Sequence, residues 1–483
     1  METVQQPTFR EQLGILEKDG KRHWIYPKKV SGKYYKWRSV VAAILLLFLF
    51  VAPFVKINNY PLVLLNIFER RFALLGFVFH PQDLFLFALA MITAVVCIAL
   101  FTVVLGRIFC GWICPQTIFL EMVFRTIERW IEGDANQQKK LDEQPWNSEK
   151  VIKKSLKHLV FFAFSFLVAH TFLAYLIGID QLWTMLRQTP LQHPVAFVSL
   201  LIFTGLFYAV FAHLRELVCI VVCPYGRLQG VLLDKNSLVV AYDYVRGEPR
   251  GKIFKSQSQH RENVSKGDCI DCKLCVQVCP TGIDIRNGTQ LECINCTACI
   301  DACDEVMQKI GRPTGLIGYY TAHQIEDKTF RREDNTIKPV LPITTRTIAY
   351  FSVLIILIGI MTTLLVTRKD VEITVLRMPG TLYQKLDNGV IANLYQLEVV
   401  NKTPYPKTIQ VKGVDSQVIV VGTENNLLKL SEGEVEKFTI MIQMHSNQIN
   451  SYKMKTSLQF LEGKQVISEK TTNFIAPYRY KSL

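Results

Sequence analysis

The sequence predicts a membrane α-helical protein with five transmembrane helices, a cysteine-rich α+β domain inserted before the last of them, and an all-β sandwich after it. Three observations carry this reading. Apolar residues make up 49% of the 483 positions, and they gather into blocks near the ~20 residues that cross a bilayer core. Eight cysteines between Cys269 and Cys303 fall as two copies of one spacing, C-x-x-C-x-x-C-x-x-x-C. Beyond residue 370 the chain consists of short runs rich in β-branched residues, punctuated by Gly, Pro and Asn.

Residues 1–38 are polar and basic, ending in Lys28, Lys29, Lys33, Lys36 and Arg38. No small-residue cleavage site follows, so this leader is expected to be retained. Spans are predicted at about 39–55, 84–105, 159–178, 194–214 and 347–366. Residues 61–79 are also apolar, but Glu69, Arg70 and Arg71 sit at their middle. Each would cost about 2.5 to 3.5 kcal/mol at the centre of a bilayer, so an interfacial amphipathic helix on the outer face is expected instead of a sixth span. Lys and Arg number 9 in the leader, 9 in residues 106–158 and 17 in residues 215–345, against 3 in 56–83 and 1 in 179–193. That bias places the first group in the cytoplasm and everything after Arg368 outside. A net charge of +14 would raise nucleic-acid binding in a soluble chain. Here the cations flank apolar blocks, and membrane orientation accounts for them without a nucleic-acid partner.

Cys269, Cys272, Cys275 and Cys279 form the first run, closed by Pro280; Cys293, Cys296, Cys299 and Cys303 form the second, followed by Asp304. The doubled spacing is that of a bacterial-type 2[4Fe-4S] ferredoxin, in which the fourth cysteine of each run serves the other cluster. Cys269, Cys272, Cys275 and Cys303 are therefore expected to hold one [4Fe-4S] cluster, and Cys293, Cys296, Cys299 and Cys279 the other. Zinc sites instead show paired C-x-x-C arms separated by a longer loop. A disulfide framework would need an oxidising compartment, which the charge bias denies to this segment.

Two further pairs repeat a second pattern, C-x-x-x-C-P: Cys110 and Cys114 before Pro115, and Cys219 and Cys223 before Pro224. Each follows the end of a predicted span, the second and the fourth, so both should lie at one membrane edge. If each pair continues its helix, partners at i and i+4 share a face with Cβ atoms ~5 to 6 Å apart, beyond the ~3.5 to 4.5 Å of a disulfide. Four soft thiolates would suit Cu(I), zinc or a further iron-sulfur centre; the plain alternative is cysteine as a small apolar residue at a helix end. Cys97 falls within the second span.

The tail, about 370–483, holds seven strand-like runs and is expected to form an immunoglobulin-like sandwich, a shape that implies no chemistry by itself. Met441 and His445 would point to the same side of one strand, ~13 Å apart at ~3.3 Å per residue, too far to share an ion. His170, inside the third span, has no evident partner, and with no C-x-x-C-H present a haem is not expected.

The chain resembles the cytochrome oxidase accessory proteins called CcoG, FixG or RdxA, which are membrane polyferredoxins. The resemblance is carried by RRF at 70–72, PQD at 81–83, GRIFCGWICPQT at 106–117, IERWIEGD at 127–134, CPYGRLQ at 223–229, DYVRGEPRGK at 243–252 and GDCIDCKLCVQVCPTGIDIRNG at 267–288. Gly226, Leu228, His80 and Gly318 depart from the family pattern. The resemblance implies a bacterial inner-membrane protein that works with the assembly factors of a cbb-type cytochrome c oxidase. It would act as a cupric reductase, taking electrons from a cytoplasmic or quinol donor and reducing Cu(II) to Cu(I), with copper as substrate or transient ligand. Cys110, Cys114, Cys219 and Cys223 are the proposed copper or redox thiols. The expected domains are a basic segment at 1–38, four spans at 39–230, the ferredoxin domain at 231–345, the fifth span at 346–367 and a periplasmic sandwich at 370–483. Two rival readings are a quinol-oxidising polyferredoxin subunit, to which the β tail would add nothing, and a non-catalytic assembly scaffold, which should tolerate loss of the clusters.

Overall fold

The computed structural model describes residues 22–477 apart from 58–59, 68–70, 75, 80–82, 189–190, 193, 253–266, 331, 333–334, 338–342, 381, 404 and 433–434. Glu69, Arg70, His80 and most of the basic leader therefore lie outside the described residues. The chain divides into two compact units. One takes in the chain up to Ala52, Ala88–Ala174 and Asp180–Ile360; the other takes in Pro53–Phe87, Tyr175–Ile179 and the chain from Met361.

Among the described residues five helices are long and apolar enough to cross a membrane: Lys33–Val51, Phe85–Leu105, Ser148–Ile177, Pro194–Leu214 and Thr345–Val366. The first begins earlier than its apolar block because its free N–H groups find a distant cap. Tyr34 and Tyr35 donate backbone N–H bonds to the Asp301 carboxylate, at 3.1 and 2.7 Å, as a side-chain oxygen does at a helix N-terminus. The third runs 30 residues because its polar first turns have their own partners. Asn147 Oδ1 accepts the Lys150 N–H at 2.8 Å, while Lys154 and Lys157 reach Glu132 at 3.0 and 2.9 Å.

A buried ionic network supports the first unit. Arg215 pairs with Glu128, and Arg125 binds Glu216 and the Pro280 carbonyl, both at 3.2 Å. Burial would push the Glu128 carboxyl up, but Arg215, Lys157 and Arg125 outweigh it and hold its pKa at about 2. The IERWIEGD string thus owes its two glutamates to packing against cations of neighbouring helices. Beside the network, Phe124 stacks on Phe211 with ring centroids 4.5 Å apart.

In the second unit the segment expected as an amphipathic helix is a β-meander instead: β1 (Val63–Asn66), β2 (Arg71–Leu74) and β3 (Phe77–Phe79), paired antiparallel. In sequence, Glu69 and Arg70 fall between β1 and β2, outside the described residues. Apolar arms of three or four residues suit strands and are too short for a helix. Asp83 of the PQD string is buried and bound by Arg368 and Lys402, both at 2.6 Å.

Between these in sequence, β4 (Val239–Tyr242) pairs antiparallel with β5 (Ile317–Tyr320) and packs against both cysteine runs. Gly318, where the family pattern leads one to expect arginine, lies in β5 under the Tyr320 ring, which a Cβ would meet at 2.6 Å.

The tail is a two-sheet antiparallel sandwich. Its strands are β6 (Val371–Arg377), β7 (Val390–Asn401), β8 (Lys407–Gly413), β9 (Gln417–Val420), β10 (Leu427–Leu430), β11 (Val435–His445), β12 (Lys453–Glu462) and β13 (Gln465–Ile475). One sheet has the order β9-β11-β7-β6, with the short Gln384–Lys385 strand also pairing β7; the other has β10-β8-β12-β13. Alternate residues fill the core, among them Leu397, Val399, Ile440, Ile442 and Phe460. Tyr395 is fully buried, and its hydroxyl donates to the Asn473 carbonyl of the opposite sheet at 2.7 Å. Met444 is buried and His445 exposed, as the period-2 alternation requires.

Candidate electron-transfer site

The two cysteine runs share one backbone conformation. Two residues past the first cysteine of each, Asp271 and Asn295 take positive φ of 52° and 53°; two residues further on, Lys273 and Thr297 take 57° and 67°. Positive φ is uncommon for residues other than glycine, and markedly so for a β-branched threonine. Left-handed residues are a component of the backbone concavities that bind anionic groups, iron-sulfur sites among them. Each run then enters a helix, Leu274–Gln277 or Ala298–Lys309.

Two cavities result. One is lined by Cys269, Cys272, Cys275 and Cys303; the other by Cys275, Cys279, Cys293, Cys296 and Cys299. Cys275 forms the wall between them, so all eight thiols face one cavity or the other. Among the described residues no three His, Cys, Asp or Glu side chains converge as a single ion would need. The thiols are spread around each cavity instead, as a polynuclear cluster bound at its corners requires, and the donor set fits two [4Fe-4S] groups. Burial pushes the metal-free thiols of Cys275 and Cys293 up to about 12 and that of Cys296 to about 11, so cluster insertion has to release protons.

The C-x-x-x-C-P pairs differ from expectation in one respect. Neither continues its helix. Each second cysteine is extended, with φ −59° and ψ 124° at Cys114 and φ −70° and ψ 113° at Cys223, and each is the N-cap of a helix whose first residue is the proline. Proline excludes the α region for the residue before it, which breaks the helix at the thiol. The freed N–H groups bond five residues back, Cys114 to the Phe109 carbonyl at 2.9 Å and Cys223 to the Val218 carbonyl at 2.8 Å. In the second pair this forms a π-turn, Val218–Val222, a feature often found at functional sites.

The four thiols lie near enough to act on one another. Burial pushes Cys110 up to about 11 and Cys219 to about 12; Cys114 and Cys223 add to the shift at Cys110, and Cys114, Cys110 and Cys223 add to it at Cys219. Gln229 and the Arg107 charge oppose this at Cys110. Gln229, fully buried, donates to Cys110 Sγ at 3.2 Å. The backbone N–H groups of Gln116 and Thr117 lower Cys114. Gly226 is needed here, since a Cβ would meet the Cys219 carbonyl at 2.7 Å.

The first pair also packs directly on the second cavity. A Cβ on Gly111, in the CGWIC string, would meet the carbonyls of Ile294 and Asn295 at 2.6 and 2.8 Å, so only glycine allows this approach. Arg107 binds the carbonyls of Leu291, Cys293 (3.4 Å) and Gly226 (2.8 Å), joining both C-x-x-x-C-P pairs to the second cysteine run. Trp112 Nε1 donates to the Tyr319 hydroxyl at 3.2 Å, which reaches the Asn295 carbonyl at 3.3 Å. Sequence reasoning missed Arg38, Arg107, Thr117, Gln229, Asn295 and Asp301; only Arg107, a lone cation between an apolar span and a cysteine pair, left a local signal.

Three family models match. Residues 214–322 match a "4Fe-4S dicluster domain", residues 87–133 a "4Fe-4S binding domain", and residues 361–477 the "IG-like fold at C-terminal of FixG". Protein RdxA of Cereibacter sphaeroides is 37% identical over 78% of this chain and 79% of its own length. The chain belongs to the FixG/RdxA family. Two more FixG/RdxA relatives are Protein RdxB of the same organism, 34% identical over 84% of this chain and 85% of its own, and the nitrogen fixation protein FixG of Rhizobium meliloti, 32% identical over 81% and 79%. With its apolar helices and dicluster domain, this FixG/RdxA protein is a membrane iron-sulfur electron-transfer protein. The match over 87–133 is notable because that stretch contains Cys110 and Cys114 and none of the eight ferredoxin cysteines.

Proposed function

We propose that this protein passes single electrons from its ferredoxin domain to Cys110, Cys114, Cys219 and Cys223, where Cu(II) is reduced to Cu(I) for the copper centre of a cbb-type cytochrome c oxidase. Cys269, Cys272, Cys275 and Cys303 hold one cluster; Cys279, Cys293, Cys296 and Cys299 hold the other. Bound clusters supply one-electron storage and transfer. One observation carries the reading: the Gly111 backbone lies against Ile294–Asn295, so the thiol pair and the second cluster loop share a packed boundary. Thiolate donors favour Cu(I), so a site that binds the metal also favours its reduced form. The oxidase as destination rests on the family resemblance. Charge bias favours a cytoplasmic ferredoxin domain and a sandwich outside.

A second reading is favoured by the family match over residues 87–133: the four helix-end thiols hold a third iron-sulfur centre. Iron, sulfide and copper analysis of anaerobically purified protein separates the two. About eight irons and eight sulfides, together with Cu(II) reduction by the dithionite-reduced protein, fit the copper reading; about twelve of each fit the third centre. Stoichiometric zinc without sulfide would end both. A reporter that works only outside the cytoplasm should be active after Arg368 and silent near Asn263; the reverse overturns the orientation.

A further inference from the structure

Two buried guanidinium groups lie behind the loop that lines the second cavity, and among the described residues neither forms an ion pair with a carboxylate. Arg38, on the first span, is 5% exposed; its Nε donates to the Gly111 carbonyl at 2.7 Å, and its Nη2 has no acceptor. Arg107 is likewise 5% exposed; its terminal nitrogens bind three carbonyls, and its Nε has no acceptor. Asn295 Oδ1 accepts the Val240 N–H at 3.2 Å and the Cys293 thiol at 3.6 Å, so this side chain turns its acceptor to the sulfur. Arg107 touches the loop carrying Cys293 directly, and Arg38 reaches it through Gly111, whose backbone lies against Ile294 and Asn295; the field of Arg38 reaches Cys296 and that of Arg107 reaches Cys293.

The first cavity is built differently. Its cation, Arg286, is neutralised by Asp284 at 2.7 Å and Asp271 at 2.5 Å, and its Cys272 is exposed. Reducing a cluster adds one negative charge. Burial makes that charge costly, whereas positive neighbours and N–H donors to sulfur raise the reduction potential. Charges act strongly in a low-dielectric interior.

We propose that Arg38 and Arg107 are positioning residues that hold up the reduction potential of the buried cluster, offsetting its burial so that it accepts electrons and delivers them to the neighbouring thiols. This rests on Cys279, Cys293, Cys296 and Cys299 being that cluster's ligands. Iron and sulfide analysis tests those ligands separately: fewer than about eight irons in the parent protein fails the ligand reading before any potential is measured.

The test is a redox titration of the full-length protein followed by electron paramagnetic resonance. In Arg38→Gln and Arg107→Gln, one of the two midpoint potentials should shift downward and the other stay in place. The shifted signal should be the one less broadened by a soluble paramagnetic ion, since the other cluster lies beside exposed Cys272. Arg286→Gln should move the other signal. Arg38→Lys and Arg107→Lys keep the charge and lose the fork, so a smaller downward shift is expected; these variants decide the matter if the glutamine variants lose iron. Unmoved or raised potentials at full iron content, or equal shifts in both signals, would overturn the proposal.

Discussion

The eight ferredoxin cysteines line two cavities on loops bent through left-handed residues, whereas the four helix-end thiols sit where a proline interrupts a helix. The first set has the shape of a permanent site, with each of its eight cysteines lining one cavity or the other. The second is also buried and mutually repelling once ionised, with Gln229 and Arg107 to temper it at Cys110. Thiols held protonated in this way stay uncharged until a metal displaces their protons. Burial and mutual repulsion raise the thiols of both sets, so the backbone that carries them is what sets the proposed cluster ligands apart from the proposed copper thiols.

The largest expected effect comes from exchanging the sets. Cys296→Ser should cost about half of the iron, whereas the double variant Cys110→Ser, Cys114→Ser should keep all of it and lose copper binding, both measured by elemental analysis. Equal iron loss in both would erase the distinction. A smaller effect concerns pH. Because burial raises Cys110 to about 11 and Cys219 to about 12, their alkylation should be slow at pH 8 and rise about tenfold per pH unit until those values are reached. Gln229→Leu removes a donor that lowers the Cys110 thiol and should slow its alkylation further. Mass spectrometry of labelled peptides reads both; rapid labelling at pH 7 would contradict the burial. The smallest is Gly111→Ala, whose added Cβ meets two backbone carbonyls that cannot swing aside. It should cost about 1 to 3 kcal/mol of stability in a denaturant titration while leaving iron and copper content unchanged.

The contrast also governs what the sequence could reveal. The dicluster domain is read from local cysteine spacing, and the five spans from apolar blocks, because both signals lie within one stretch of chain. The meander at Val63–Phe79 departs from the expected helix because its apolar runs of three or four residues fit strands, and a charge count across the stretch does not measure run length. The short β10 strand, four residues between turns, carried too little pattern to notice. Asp301 capping the first span and Arg107 joining three loops are partnerships across the fold, with more than 180 residues between some partners, and no local pattern encodes them. The helix break at Cys114 and Cys223 was legible in Pro115 and Pro224, whose effect on the preceding residue outweighs helical continuity.

The most direct measurement of electron flow is a single-turnover reaction: protein with both clusters reduced is mixed anaerobically with Cu(II), and cluster absorbance and Cu(I) formation are followed together. In the parent, cluster reoxidation and Cu(I) appearance should share one rate. With Cys110, Cys114, Cys219 and Cys223 all replaced by serine and the iron intact, that rate should fall by about tenfold or more, as expected when the soft ligands that favour Cu(I) are gone. Reoxidation by copper at the parent rate in that variant would contradict the account.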